Sequence, residues 1–406
     1  MTVHEIDDFA GCLHALKQAD LRQSLYDEAA ILMETVVVNL HGAEHRARRE
    51  VEATIFRKDI FLHYEKVVLP RILEETLAPF LAAGQGDLKD IGYRILLNLT
   101  VDFTGIDRPA RTAEETGDLL RLLREFSLAP TLGQRLGEDT APFKARIKAA
   151  IDAFDTAYFT HSLRRREQAL ADHLRGVLAR EDMPKDVLMA MVAARDSLGL
   201  TREQMLKEAI YFVLAGAHTS INGLTHATHD IFQWLEHRPQ DRARVFEDPF
   251  FIQACVFESL RLNPSSPVAR RRALCPVALG HGEAAADDEV IVNLRAANRN
   301  ADLFGDAPTA FNPDRSAPAG QLPYGLSMGH GAHACLGRNL AVGVVPRKGA
   351  DPVGHQYGTV PLIVEALFRG GVAPDERRPP MRDETIARFV WAEYPVTFRT
   401  PVDHGR

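Results

Sequence analysis

The 406-residue chain lacks any apolar run near the ~18 residues that a membrane helix needs. Its best stretch, AAILMETVVVNL at 29–40, is interrupted by Glu34. It also lacks a basic excess: 48 Lys and Arg against 55 Asp and Glu leave a formal net charge of −7. No global electrostatic attraction for nucleic acid follows from such a balance. Cysteine is scarce, and Cys12, Cys255, Cys275 and Cys335 are too few and too scattered for a disulfide framework, which predicts a reducing cytoplasm. The amino terminus, MTVHEIDDFAG, is acidic where a secretory signal is basic and then apolar. Internal repeats and low-complexity linkers are missing as well. What is present is an ordinary globular balance, 46% apolar and 25% charged, which excludes a disordered or fibrous chain. A length of this order permits two to three domains at ~150 residues each. The expectation is a soluble cytoplasmic protein of enzyme size.

Residues 1–245 read as mostly helical, with apolar residues at helical spacing over 43–60, 66–83, 113–127, 142–180 and 201–236. The last is the clearest: Thr201 and Gln204 form a capping-box start, and no proline follows until Pro239. Its apolar middle, AIYFVLAGA, predicts a central, buried helix. Beyond about 262 the texture changes. Pro264, Pro267 and Pro276 break helices, EVIVNL (289–294) and PVTFRT (395–400) read as strands, and 299–334 reads as a long structured coil. A helix-like stretch near 336 is interrupted by a polar insertion at 346–359, and PLIVEALF (361–368) is helical again. The fold class expected is mainly α with small β-sheets.

The densest chemistry lies in MGHGAHACLGRNLA, 328–341. Gly329, Gly331 and Gly337 with small alanines predict backbone held close around the Cys335 sulfur. Small residues admit a bulky planar partner, and amide N–H groups tune a thiolate. A following helix start favours an anionic sulfur. This segment resembles the haem-ligand loop of the cytochrome P450 family, F-G-x-G-x-H-x-C-x-G-x-x-L-A. It matches at Gly329, Gly331, His333, Cys335, Gly337, Leu340 and Ala341, with Met328 in place of Phe. Two other patterns share the stretch. GLSMG (325–329) spells the hydrolase G-x-S-x-G with Asp351 and His355 downstream, but Pro323 and coil precede it where a buried strand is needed. His330, His333 and Cys335 suggest zinc without a fourth ligand at familiar spacing.

The resemblance extends along the chain. FESLR supplies E-x-x-R with Glu258 and Arg261 one helical turn apart, and PTAFNPDR (308–315) matches P-x-x-F-x-P-x-R. It implies that Arg315 joins Glu258 and Arg261 in a buried charge network. HGAEHRARREVE is similar to the family's haem-edge helix, where His45 and Arg49 would meet a propionate. In ARRRA (269–273), Arg271 fits a further propionate contact best, with Arg270 and Arg272 as alternatives; His333 is another candidate. AGAHTS (215–220) matches the oxygen-binding segment A-G-x-[D/E]-T-[T/S] at Ala215, Gly216 and Thr219. There Gly216 and Thr219 would loosen the helix into a notch for dioxygen. His218 stands where an acid relays protons; it either takes that role or turns away into a polar contact. His226 and His229 on the same helix are read as packing or solvent-facing.

The resemblance implies a single triangular P450-like domain over 1–406, helix-rich over 1–262, with sheet, meander and haem-ligand loop over 263–406. Its amino terminus is shortened: several dozen residues that build a first helix and much of a sheet are expected to be missing. It implies haem b, iron protoporphyrin IX, with Cys335 as axial ligand, and a monooxygenase acting on an apolar small molecule. NAD(P)H would act indirectly, through ferredoxin reductase and a ferredoxin docking near Arg46, Arg338, Arg347 and Lys348. Alternatives of other chemistry are peroxide-driven oxygenation, oxidative coupling or nitration, and a haem-binding protein without turnover. By family position the pocket is lined from 32–38, 211–219, 265–269 and 390–394.

Overall fold

The structure, a computed structural model, describes residues 1–134, 139–280, 282–384 and 388–399. Strand β1 (Val3–Ile6) leads into α1 (Phe9–Lys17), whose first turn is capped by the Asp8 side chain accepting from Gly11 N–H at 2.8 Å, and then into β2 (Leu21–Gln23). Both strands join β3 (Ala269–Ala273) and β4 (Glu289–Val292) in a four-stranded sheet of order β1–β4–β3–β2. β1 runs parallel to β4 with Ile6 opposite Val292; the other pairs are antiparallel, and Gln23 faces Arg271. The helical reading of 1–245 contains neither β1 nor β2, and the sheet expected to be largely lost has four strands. Each missed strand has three or four residues and a partner more than two hundred residues away, too short for a period-2 signal.

The expected helix over 43–60 is instead α2 (Gly42–Ala53) and a separate helix Lys58–His63. The break lets Phe56 turn inward against Phe61, Phe103 and Phe212. The expected helix over 142–180 is Ala141–Phe154 and Thr160–Leu174, joined by one π-turn. α3 (Leu88–Thr104) packs along α4 (Arg202–His237), the central helix of 36 residues and about 54 Å. The capping box forms: Gln204 N–H donates to Thr201 Oγ1 at 3.2 Å and Thr201 N–H to Gln204 Oε1 at 2.9 Å. Two glycines set the α3–α4 approach. A Cβ on Gly216 would lie 2.6 Å from Thr100 Cγ2, and one on Gly92 2.6 Å from Leu224 Cδ2. Among the described residues no helix is long and apolar enough to cross a membrane.

Between α2 and α4 lies a buried charge cluster. Glu208 accepts from Arg48 Nη1 at 2.5 Å and from Val37 N–H at 3.0 Å. Glu52 beside them is fully buried, and neither of its carboxylate oxygens has a hydrogen-bond partner. Burial first, then the Glu208 charge, holds the Glu52 carboxyl well above its ordinary value of 4.5, and burial pushes Glu208 up to about 7. The folded protein therefore keeps protons that the unfolded chain releases above pH ~4.5, so this cluster lowers stability as pH rises. Glu52→Gln is expected to stabilise the fold at pH 8 and to leave it unchanged near pH 4. Denaturant unfolding at the two pH values checks this; an equal effect at both contradicts it.

α5 (Phe251–Leu262) carries Glu258 and Arg261. The haem-ligand-like loop enters α6 (Arg338–Val342), which stops after five residues, and α7 (Thr359–Arg369) resumes the direction. The intervening segment loops out at Gly343 and returns at Gly358, slightly wider than the sequence pattern of 346–359. Its neck is tight: a Cβ on Gly358 would lie 2.5 Å from Val342 Cα, and both glycines have positive φ. Gln253 Nε2 donates to Val342 O and Tyr357 O, each at 3.0 Å, and Glu65 accepts from Gly358 N–H at 2.9 Å. A three-stranded sheet joins Gln85–Asp87, Pro395–Phe398 and Val372–Pro374. Thr400, the end of the expected last strand, lies outside the described residues, as do 401–406.

Candidate active site

Residues 328–337 wrap the Cys335 sulfur. Gly329 and Gly331 take positive φ, and a Cβ on Gly331 would meet the α1 backbone 3.4 Å from Lys17 Cα. Cys335 N–H donates to Met328 O at 2.8 Å, and Met328 itself packs on the main core. Cys335 lies deep among protein atoms and yet is exposed, so its sulfur faces an internal opening rather than the outer surface. Burial pushes its thiol up; the Gly337 amide, the Arg49 and Arg338 charges and the Arg338 amide pull it back toward thiolate. With α6 only five residues long, these amides and charges, more than a helix dipole, act on the sulfur.

Opposite lies one face of α4. Tyr211, Ala215 and Thr219 recur every four residues, and none of them is buried. Burial first, then charge at Tyr26, Glu208 and Cys335, pushes the Tyr211 hydroxyl up, so Tyr211 lies within electrostatic reach of Cys335. The helix runs through 215–220 without interruption, so no notch breaks it. The Thr219 hydroxyl donates back to Ala215 O at 2.6 Å, and the missing side chain of Gly216 is filled by Thr100. His218 turns toward α3: its Nδ1 lies 3.1 Å from the Tyr93 hydroxyl. Burial, then the charges of Arg388 and Lys89, lowers its pKa to about 4, so the imidazole is neutral at physiological pH. Ser265 Oγ donates to Thr219 O at 2.8 Å, and Arg388 Nη1 donates to Ser265 O at 3.0 Å.

One edge of the opening is rich in donors. His45 is buried with Nε2 unpartnered, and its ring lies 4.2 Å from that of His333. Arg49 Nη2 donates to Ala334 O. Strand alternation buries Arg271, bonded to Gln23 Oε1 at 2.7 Å, while Arg270 pairs outward with Glu289 and Arg272 reaches Asp287 O. Burial lowers all four: His45 to about 4, His333 to about 3, Arg271 to about 10, and Arg49 below its ordinary value. An orphaned imidazole N and two desolvated guanidinium groups fit a planar group bearing carboxylates on that edge, with the sulfur beneath it. Haem has this form.

Behind the loop, Glu258 accepts from Arg261 Nε and Nη2 at 2.7 Å each, from Arg315 Nε at 3.0 Å and from Asn312 N–H at 3.1 Å. The remaining guanidinium donors reach carbonyls of Asn298, Pro308, Phe304, Ala307 and Ala310. Ser327 of the hydrolase-like pattern donates to Leu260 O, and His355 bonds Gln253, so these two do not meet. Among the described residues no cluster of three His, Cys, Asp or Glu side chains is arranged to hold a metal ion.

The cytochrome P450 family model matches residues 233–342, which span the last turn of α4, α5 and the Cys335 loop. The erythromycin C-12 hydroxylase of Saccharopolyspora erythraea is 27% identical over 355 residues, covering 82% of this chain and 79% of its own. The chain belongs to the cytochrome P450 family. The pulcherriminic acid synthase of Bacillus subtilis is 24% identical, covering 79% of this chain and 74% of its own. Among solved structures, that of CalO2 superposes with a TM-score of 0.73 at 22% identity, covering 97% of this chain and 90% of the other, and shares the fold. The P450 is thus an oxidoreductase with O2-dependent haem-thiolate monooxygenase chemistry.

Several residues around the opening carry no sequence signal. Tyr93 lies 125 residues from His218, and Tyr26 and Arg388 belong to no motif, whereas Tyr211 falls in the expected lining segment 211–219. Conversely, Leu32, Met33, Val36 and Val37, expected to line the pocket, are at most 3% exposed and belong to the core. His226 Nε2 bonds Phe389 O and His229 Nδ1 bonds Tyr394 Oη, so both are structural.

Proposed function

We propose that this P450 inserts oxygen into an apolar small molecule in the cytoplasm, with electrons from a ferredoxin and its NAD(P)H-dependent reductase. The observation that carries the reading is the Cys335 sulfur facing the Tyr211–Thr219 side of α4 across an opening edged by His45, Arg49, Arg271 and His333. In it Cys335 would hold the iron of haem b, and those four side chains its propionates. When bound, haem supplies reductive activation of dioxygen and transfer of one oxygen atom. Gly337 keeps a side chain off the sulfur, since its Cβ would lie 4.0 Å from Cys335 Sγ, and Gly329 lets the loop close on the His333 carbonyl. Thr219 presents its hydroxyl oxygen at the open face, its proton donated to Ala215 O. Neutral His218 passes a proton through its ring: with Tyr93 donating to Nδ1, Nε2 carries one. Arg46, Arg338, Arg347 and Lys348 are all exposed and form no ion pair among the described residues, which suits an acidic ferredoxin.

His218→Ala is expected to raise hydrogen peroxide released per NAD(P)H consumed, with coupled turnover falling about 100-fold, the low end of acid–base contributions. His218→Asp is expected to restore coupling. Oxygen and peroxide measurements with a surrogate ferredoxin and reductase check this; an unchanged ratio removes His218 from the relay. The neutrality of His218 also favours a second reading, oxygenation driven by added peroxide, which needs no proton delivery to dioxygen. Turnover with peroxide but not with reductase would select it.

A further inference from the structure

Arg388 reaches the opening from the segment just ahead of strand Trp391–Glu393 and is anchored by the Ser265 carbonyl, whose own side chain bonds Thr219. Among the described residues that is the one hydrogen bond its guanidinium makes. Its Nε is buried without a partner, and no described carboxylate forms an ion pair with it. The groups that feel its charge are Tyr26, Tyr93 and His218, all uncharged at neutral pH. The other charges acting on these three are Arg271, Arg124 and Lys89, every one positive. The carboxylates Asp383, Asp87 and Glu393 act on Lys89. A partly buried guanidinium with no ion-pair partner among the described residues can take one, and its planar fork matches a carboxylate with two parallel hydrogen bonds.

We propose that Arg388 reads a carboxylate on the substrate, so that the molecule oxidised beside Thr219 is an apolar organic acid anchored by this guanidinium. The inference rests on the monooxygenase reading and adds the substrate class to it. The probes are phenylacetate and medium- and long-chain fatty acids, each beside its methyl ester, titrated into holoenzyme and followed by the Soret shift and by calorimetry. At least one acid binds about tenfold or more tighter than its ester, as a charge-assisted hydrogen bond dictates. Arg388→Gln erases that difference while ester affinity stays within about twofold, and Arg388→Lys keeps part of it. Three results overturn the proposal: no acid in the panel binds better than its ester, Arg388→Gln weakens acid and ester equally, or Arg388→Gln lowers haem content with the discrimination intact. The reduced CO spectrum of the same preparation separates the two failures. Without the thiolate band the monooxygenase reading falls; with the band present and no acid preference, only the role of Arg388 falls.

Discussion

Glu258→Gln is expected to cost about 3–5 kcal/mol of stability and to yield protein largely without haem. Glu258 is bonded to two guanidinium groups, of which Arg261 is fully buried and Arg315 is 11% exposed at its side chain. Its oxygens take four donors at 2.7–3.1 Å, and one of them, Asn312 N–H, fixes the meander that carries Arg315. Without the negative charge, two cations remain inside a low-dielectric core with only carbonyl dipoles around them. The segment 308–315 then loses its tie to α5, and the Cys335 loop, held to α5 through Ser327 and Leu260 O, loses its backing. Denaturant unfolding and haem content per chain check this. A loss under about 1 kcal/mol with full haem content contradicts it. The comparison Arg315→Lys keeps the charge but not the fork to three carbonyls and Glu258, and is expected to fall between the two.

Much of this arrangement is legible in the sequence because its chemistry is local. Cys335 with its glycines, Glu258 with Arg261, and His45 with Arg49 each sit within one loop or one helical turn, where spacing fixes geometry. Helix α4 is legible for the same reason, since Thr201, Gln204 and a long apolar face act within a few residues of each other. Distant pairings leave no such trace. β1 and β2 are defined by partners at 289–292 and 271–273, and α2 ends at Ala53 because Phe56 finds aromatic neighbours from two other helices. The Tyr93–His218 contact and the turn of Arg388 toward Ser265 belong to the same class. Strand alternation distinguishes Arg271 from Arg270 and Arg272, which sequence spacing leaves open. The apolar run at 32–38 misleads for the opposite reason: apolar side chains signal burial, and these are buried in the core rather than beside the opening.

The largest loss expected of any substitution is that of Cys335→Ser, because no neighbouring sulfur replaces it: Cys12 and Cys255 are buried elsewhere with thiols raised by burial, and Cys275 lies on the surface. A serine hydroxyl fits the same loop, so the fold and the His45–Arg49–Arg271–His333 edge stay in place. What disappears is the anionic sulfur, and with it the electron donation that favours O–O cleavage. Oxygenase turnover is expected to fall below detection, with haem still bound in part. The direct test of the whole account is therefore the absorption spectrum of the reduced, CO-bound holoprotein. Wild type is predicted to show the red-shifted Soret band of thiolate-ligated haem, and Cys335→Ser to lose it. A wild-type protein that binds haem but lacks that band, or a Cys335→Ser protein that keeps it, would contradict the account.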